Sequence, residues 1–151
     1  MAWIGAATKP PGCIFCTAYS SNDDRGQMVL ARTEHAFLIL NAYPYASGHL
    51  MVALRRHVAA ITDASLPECT DIMLLVQRGV NVLTEEYRPG GYNIGVNQGA
   101  VAGAGIADHF HMHIVPRWSG DSSFMQSIGE VRVLPEALDR TWERLQRHFG
   151  G

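Results

Sequence analysis

His109-Phe110-His111-Met112-His113-Ile114-Val115 alternates imidazole and apolar side chains without a break before its last residue. Successive side chains of a strand leave opposite faces. The stretch therefore predicts a strand over 109–115, with Phe110, Met112 and Ile114 in the core and three imidazoles on the other side. Three of the chain's seven histidines fall in this row. A structural histidine satisfies one local hydrogen bond alone, and three in register have no packing rationale, so the row points to chemistry. Two kinds fit: a metal site, or nucleophilic and acid–base work on an anion. With an ordinary pKa of about 6.5, imidazole is largely neutral and nucleophilic at pH 7. A protonated neighbour can meet negative charge developing on phosphate oxygens. Mutual repulsion disfavours charging all three rings, so the cluster shares protons.

Upstream, Met28–Leu30 and Ala36–Leu40 are short apolar runs rich in β-forming residues, and His49–Leu54 is a third. Asn41–Gly48 (NAYPYASG) carries the Pro, Asn, Ser and Gly of a loop. Ser65 and Glu68 form a capping-box signature. Beyond it Ile72, Leu75, Val76, Val80, Leu83 and Tyr87 recur at helical spacing, predicting an amphipathic helix over 66–87 that stops at Pro89-Gly90-Gly91. Asn93–Val96 predicts a strand and Gly99–Gly105 (GAVAGAG) a loop. A final helix is expected over 134–149, with Pro135 in its first turn and Leu134, Leu138, Trp142, Leu145 and Phe149 on one face. The short spacing between early strands favours an antiparallel sheet. The fold class is α+β: about five strands, one long helix and a C-terminal helix.

With 151 residues, 47% of them hydrophobic and 17% charged, the chain can bury one core, so 1–151 reads as a single domain with an irregular arm over 1–12. No apolar run reaches membrane-spanning length. The start lacks a basic stretch followed by an apolar one, so no export signal is visible. A cytoplasmic protein is expected, without membrane attachment. Net charge is −2, which argues against a DNA or RNA binder; a small anionic ligand needs only a few placed donors. There are three cysteines, Cys13, Cys16 and Cys69. An odd count with one Cys-x-x-Cys pair suggests a metal or redox site rather than a disulfide framework. Cys69 reads as an ordinary thiol, His35 as a surface residue, His148 as a helix-dipole partner and Arg55-Arg56 as a solvated pair.

The triad followed by Pro116-Arg117-Trp118 resembles the histidine-triad motif of nucleotide hydrolases and transferases. Phe37–Asn41, Pro44 and Gly48–Val52 are similar to that family's strand–loop–strand around the nucleoside. Tyr92–Asn97 and the glycine-rich loop resemble the segment before the triad. Leu40–Tyr45 and Val115–Asp121 look like the bacterial branch with diadenosine-tetraphosphate phosphorylase activity. The resemblance implies an enzyme cleaving an AMP-containing phosphoanhydride, by hydrolysis or phosphorolysis, with His109, His111 and His113 as catalytic residues and His111 as nucleophile in a nucleotidyl-histidine intermediate. It places His113 and His49 at the α-phosphate, Asn41 at the ribose, and Asn97, Gln98 and the Gly99–Gly105 loop at phosphate oxygens. Trp118 would be an aromatic lid on a base.

The resemblance further implies a zinc subset of the family, whose four ligands would here be Cys13, Cys16, His57 and His109, a closed structural site. No organic cofactor is implied, and a homodimer or larger homo-oligomer is. One departure stands out: many members carry a polar side chain assisting the leaving group where this chain has Gly105. Other readings left open by the sequence are an AMP–amine phosphoramidase, a nucleotide-binding regulator with weak catalysis, and a metalloenzyme holding its ion with the triad itself.

Overall fold

The computed structural model describes residues 12–121 and 136–150. Over them run helix α1 (Ile14–Ser20), strands β1 (Val29–Arg32), β2 (Ala36–Leu40) and β3 (Leu50–Leu54), helix α2 (Leu66–Tyr87), strands β4 (Gly91–Gly95) and β5 (His111–Arg117), and helix α3 (Leu138–Gln146). The five strands form one sheet in the order β1-β2-β3-β5-β4, every neighbouring pair antiparallel. The α+β expectation therefore holds. None of these helices is long and apolar enough to cross a membrane.

β2 and β3 are buried along their whole length. Alternation sends Ala36, Leu38, Leu40, Leu50, Val52 and Leu54 into a core shared with α2, while Phe37, Ile39, Met51 and Ala53 join a second cluster with Cys13, Phe15 and Cys16 of the α1 region. Both sheet faces are covered, which is why AFLIL and LMVAL are unbroken apolar runs. Phe110, Met112 and Ile114 pack on the α2 side as their alternation requires.

Helix α2 occupies the predicted residues. Ser65 Oγ accepts the Glu68 N–H and the Glu68 carboxylate accepts the Ser65 N–H, a complete capping box. The helix crosses the sheet at Gly79, where a Cβ would lie 3.0 Å from Ile114 Cδ1 and 3.3 Å from Leu50 Cδ1. Glycine costs about 1 kcal/mol in a helix interior; here it permits that close approach.

Several expectations need correction. β5 starts at His111 and runs to Arg117, and β4 starts two residues earlier than expected. α1 was not anticipated: it has seven residues, and its N-cap Cys13 makes no side-chain capping bond. Two turns carry too few apolar positions for a periodic signal. The final helix begins at Leu138 rather than 134, although Trp142, Leu145 and Phe149 do face the core; Leu134 and Pro135 lie outside the described residues, as does most of the 1–12 arm. Arg56 is no solvated side chain. Its guanidinium binds both oxygens of Glu68, at 2.5 and 2.8 Å, and the Asp63 carbonyl at 2.9 Å. Glu68 is 3% exposed.

That ion pair, helped by the Ser65 N–H, outweighs the desolvation of Glu68 and takes its carboxyl from 4.5 down to about 2. A depressed carboxyl stabilises the fold fully above its unfolded value, and the contribution fades as pH falls toward the folded value. Glu68→Gln is expected to lose on the order of 2 kcal/mol at pH 7, discounting for the part-exposed arginine. The difference from the parent should shrink steadily between pH 4.5 and 2. Urea midpoints across this range check it, and a gap independent of pH would contradict it.

Candidate active site

The histidine face of β5 looks onto the α1 side of the sheet, where α1 covers His111 and His113 is left half-buried. His109 is 1% exposed and His111 4%. Phe15, fully buried, lies against both rings, with centroids 5.1 and 4.8 Å away. Phe15 went unnoticed in the sequence because the helix that carries it did.

The triad divides between two sites. His109 turns toward the N-terminal cysteines: its Nδ1 lies 3.3 Å from Cys13 Sγ, 3.6 Å from Cys16 Sγ and 3.2 Å from His57 Nδ1, and Cys16 Sγ lies 3.4 Å from His57 Nδ1. All four ligand atoms fall within 4.8 Å of one another. A tetrahedral zinc with bonds of about 2.3 Å to sulfur and about 2.05 Å to nitrogen puts N···N at about 3.3 Å and S···N at about 3.5 Å. The four edges given match those figures. The outer nitrogen of His109, Nε2, sits 2.7 Å from the Leu54 carbonyl. It therefore carries the proton, and Nδ1 offers its lone pair inward, the usual second contact of a metal-bound imidazole. The donor set fits zinc. Among the described residues the metal-holding group takes His109 from the triad and neither His111 nor His113.

The other site uses the remaining two. His111 Nδ1 is 2.7 Å from the His109 carbonyl. A carbonyl only accepts, so Nδ1 holds the proton and Nε2 is bare. His49, 1% exposed, accepts the Tyr45 N–H on Nδ1 at 3.1 Å. Its proton is thus on Nε2, which lies 2.9 Å from His113 Nδ1. His113 in turn carries its proton on Nε2. Two main-chain groups thereby set three rings: one offers a lone pair, and another offers an N–H.

All stay neutral at pH 7. Burial, then the neighbouring His113, takes His49 from 6.5 to about 4. Burial also takes His109 to about 4, against the pull of the Leu54 carbonyl. Burial holds His111 and His113 below the usual imidazole value as well.

Asn41 borders this pair. Its Oδ1 accepts the Tyr43 N–H at 2.8 Å and its Nδ2 lies 3.4 Å from His49 Nε2. The Tyr45 ring covers His49 and stacks within 17° of the His113 plane. Asn97 is exposed. Gln98 is tied elsewhere, its Oε1 accepting the Ile61 N–H at 2.8 Å. Gly105 is exposed with nothing within 4 Å of an added Cβ, so a side chain would fit there. Trp118 is half-buried, and its main-chain N–H donates to Asp121 Oδ2 at 3.1 Å. Cys69 is half-buried and free. His35 is half-buried, with its N–H on Asp71, rather than fully at the surface. His148 pairs with Glu85 and Glu86.

An antiparallel sheet carrying this split histidine row defines a histidine-triad protein. Residues 24–120 match the HIT domain, and the chain belongs to that family. It is 40% identical over 120 residues to a protein named AP-4-A phosphorylase from Mycobacterium tuberculosis, covering 80% of this chain and 61% of that one. The chain thus spans about three fifths of that relative's length. A bis(5'-adenosyl)-triphosphatase from Dictyostelium discoideum is 32% identical over 123 residues, 82% of this chain and 81% of its own. The crystal structure of a zinc-bound histidine triad family protein from Mycobacterium smegmatis aligns with a TM-score of 0.71 and 26% identity over 91% of this chain and 93% of that one.

The His49 geometry generates a direct expectation. Its ring should remain neutral through pH 5 and titrate near pH 4. Because an unfolded histidine binds its proton at higher pH, His49 makes folding less favourable as pH drops from 6.5 to 4, with no further change below. Site-assigned NMR titration of the ring carbons tests this; a midpoint at 6.5 or higher would contradict it.

Proposed function

We propose that the protein is an enzyme that cleaves AMP-containing phosphoanhydrides of the diadenosine-polyphosphate class by nucleotidyl transfer through His111. The observation that carries this is the bond from His111 Nδ1 to the His109 carbonyl, which leaves Nε2 unprotonated beside an N–H donor on His113. The relatives named AP-4-A phosphorylase and bis(5'-adenosyl)-triphosphatase support the substrate class.

In the first step Nε2 forms a bond to the α-phosphorus as the bridging P–O bond breaks, and the leaving polyphosphate takes the electron pair. His113, supplied by His49, donates its Nε2–H to a phosphate oxygen and neutralises developing charge. Asn41 meets the ribose; Asn97 and the 99–105 backbone meet phosphate oxygens, and Gln98 can do so only through its amide nitrogen. Trp118 closes over a base. With Gly105 in place of a polar residue, the leaving oxygen takes its proton from His113 or solvent. In the second step water or inorganic phosphate attacks phosphorus and His111 departs.

Cys13, Cys16, His57 and His109 would hold a zinc ion that takes no part in the reaction and would pin α1, and hence Phe15, against His111. The buried sulfurs of Cys13 and Cys16, gathered with two histidines as a metal-ligand set, support a reducing, cytoplasmic setting. β4 is an edge strand with Ile94 45% exposed, which supports pairing of two copies as a homodimer or larger homo-oligomer. We read 1–151 as one domain.

Diadenosine tetraphosphate offered with and without inorganic phosphate tests the assignment. ADP plus ATP formed only with phosphate identifies phosphorolysis; AMP plus ATP identifies hydrolysis. His111→Ala should lower turnover on the order of a thousand-fold or more while retaining metal, whereas Cys16→Ser should lose metal. Nucleotide binding without turnover, or metal lost with His111, would contradict the proposal.

A further inference from the structure

The loop between Asn41 and His49 is held from two sides. On the inner side the Tyr43 and Tyr45 N–H groups bond to Asn41 and His49 themselves. On the outer side Ser47 Oγ accepts the Glu136 main-chain N–H at 2.8 Å. Between Ser47 and His49 the chain passes Gly48 at φ +81°, where a Cβ would stand 2.7 Å from Leu83 Cδ2. That turn has no slack, so a displacement of Ser47 is transmitted to His49.

Glu136 itself is strongly anchored. Its carboxylate accepts from Tyr87 Oη at 2.5 Å, Thr141 Oγ1 at 2.9 Å and Arg144 at 2.9 Å, and Arg140 lies 3.5 Å away. Arg144 also binds Glu86 at 2.7 Å and lies over the Tyr87 ring. Glu86 further meets Arg147 and His148. The end of α2, Arg140 and Arg144 of α3, and Arg147 and His148 just beyond it thus form one charged cluster with Glu136 at its tip. α3 gets no side-chain cap from Ala137, and the half-buried Glu136 commits its carboxylate to Tyr87, Thr141 and Arg144 instead.

We propose that Glu136 is a positioning residue for the proposed nucleotide site: by holding Ser47 it keeps the Tyr45 N–H on His49 Nδ1, and so sets how tightly the polyphosphate nucleotide is bound. The inference rests on the function proposed above, but one of its tests does not. Amide hydrogen exchange at Tyr45 reads the tether in the full-length, metal-loaded chain without substrate. Ser47→Ala should speed that exchange roughly ten-fold, since a local opening becomes easier. Kinetics on diadenosine tetraphosphate should then show KM raised about five-fold, the effect of one lost hydrogen bond, with kcat lowered as well, because the Tyr45 N–H also fixes the His49 proton on which His113 depends. Glu136→Ala should raise KM at least as much, and Glu136→Gln should recover part of the loss. Thermal midpoints accompany each variant. Unchanged Tyr45 exchange overturns the inference, as does a KM that is unmoved or that rises only with a loss of folded protein. If the parent chain turns over no dinucleotide, the functional reading fails while the exchange result still decides whether the clip exists.

Discussion

Two main-chain groups, the carbonyl of His109 and the N–H of Tyr45, decide which imidazole nitrogens are protonated before any substrate arrives. Neither can change role: a carbonyl accepts and an amide donates. His111 therefore keeps a bare Nε2 and His49 a protonated one. Burial reinforces both by disfavouring the charged rings. The rest of the fold keeps these two groups where they are. β5 sits between β3 and β4, with Met51 opposite His113 and Ala53 opposite His111. Small or flexible partners at those positions leave room for the rings.

The row of histidines divides because its strand begins partway along it. His109 precedes β5, so its ring can rotate toward Cys13 and Cys16 while its own carbonyl receives His111. One residue thus serves both centres, in the cysteine cage through its ring and as acceptor for His111 through its main chain. Phe15 couples them a second time, since it touches both rings from a helix whose first residues belong to the cysteine cage. Loss of that cage would unsettle His111 without touching it chemically.

What the sequence made legible was local. Alternation over 109–115 placed the imidazoles, the Ser65–Glu68 box placed the start of α2 to the residue, and unbroken apolar runs marked β2 and β3. The resemblance to histidine-triad proteins brought forward Cys13, Cys16, His57 and His109, residues up to 96 apart that the fold does bring together. What stayed hidden depends on distance or on a side chain's choice between partners. Glu68 was visible as a capping residue but not as the partner of Arg56. Gln98 looked like a phosphate contact, yet its carbonyl oxygen takes the N–H of Ile61. Nothing in the local pattern of Glu136 reveals that it reaches Ser47, 89 positions away.

The protonation pattern of His111 is the point on which the account stands. Long-range proton–nitrogen correlation NMR of the labelled protein at pH 7 reads it without substrate. The account predicts a proton on Nδ1 and a bare Nε2 for His111. A protonated Nε2, or a charged ring with protons on both nitrogens, would contradict it.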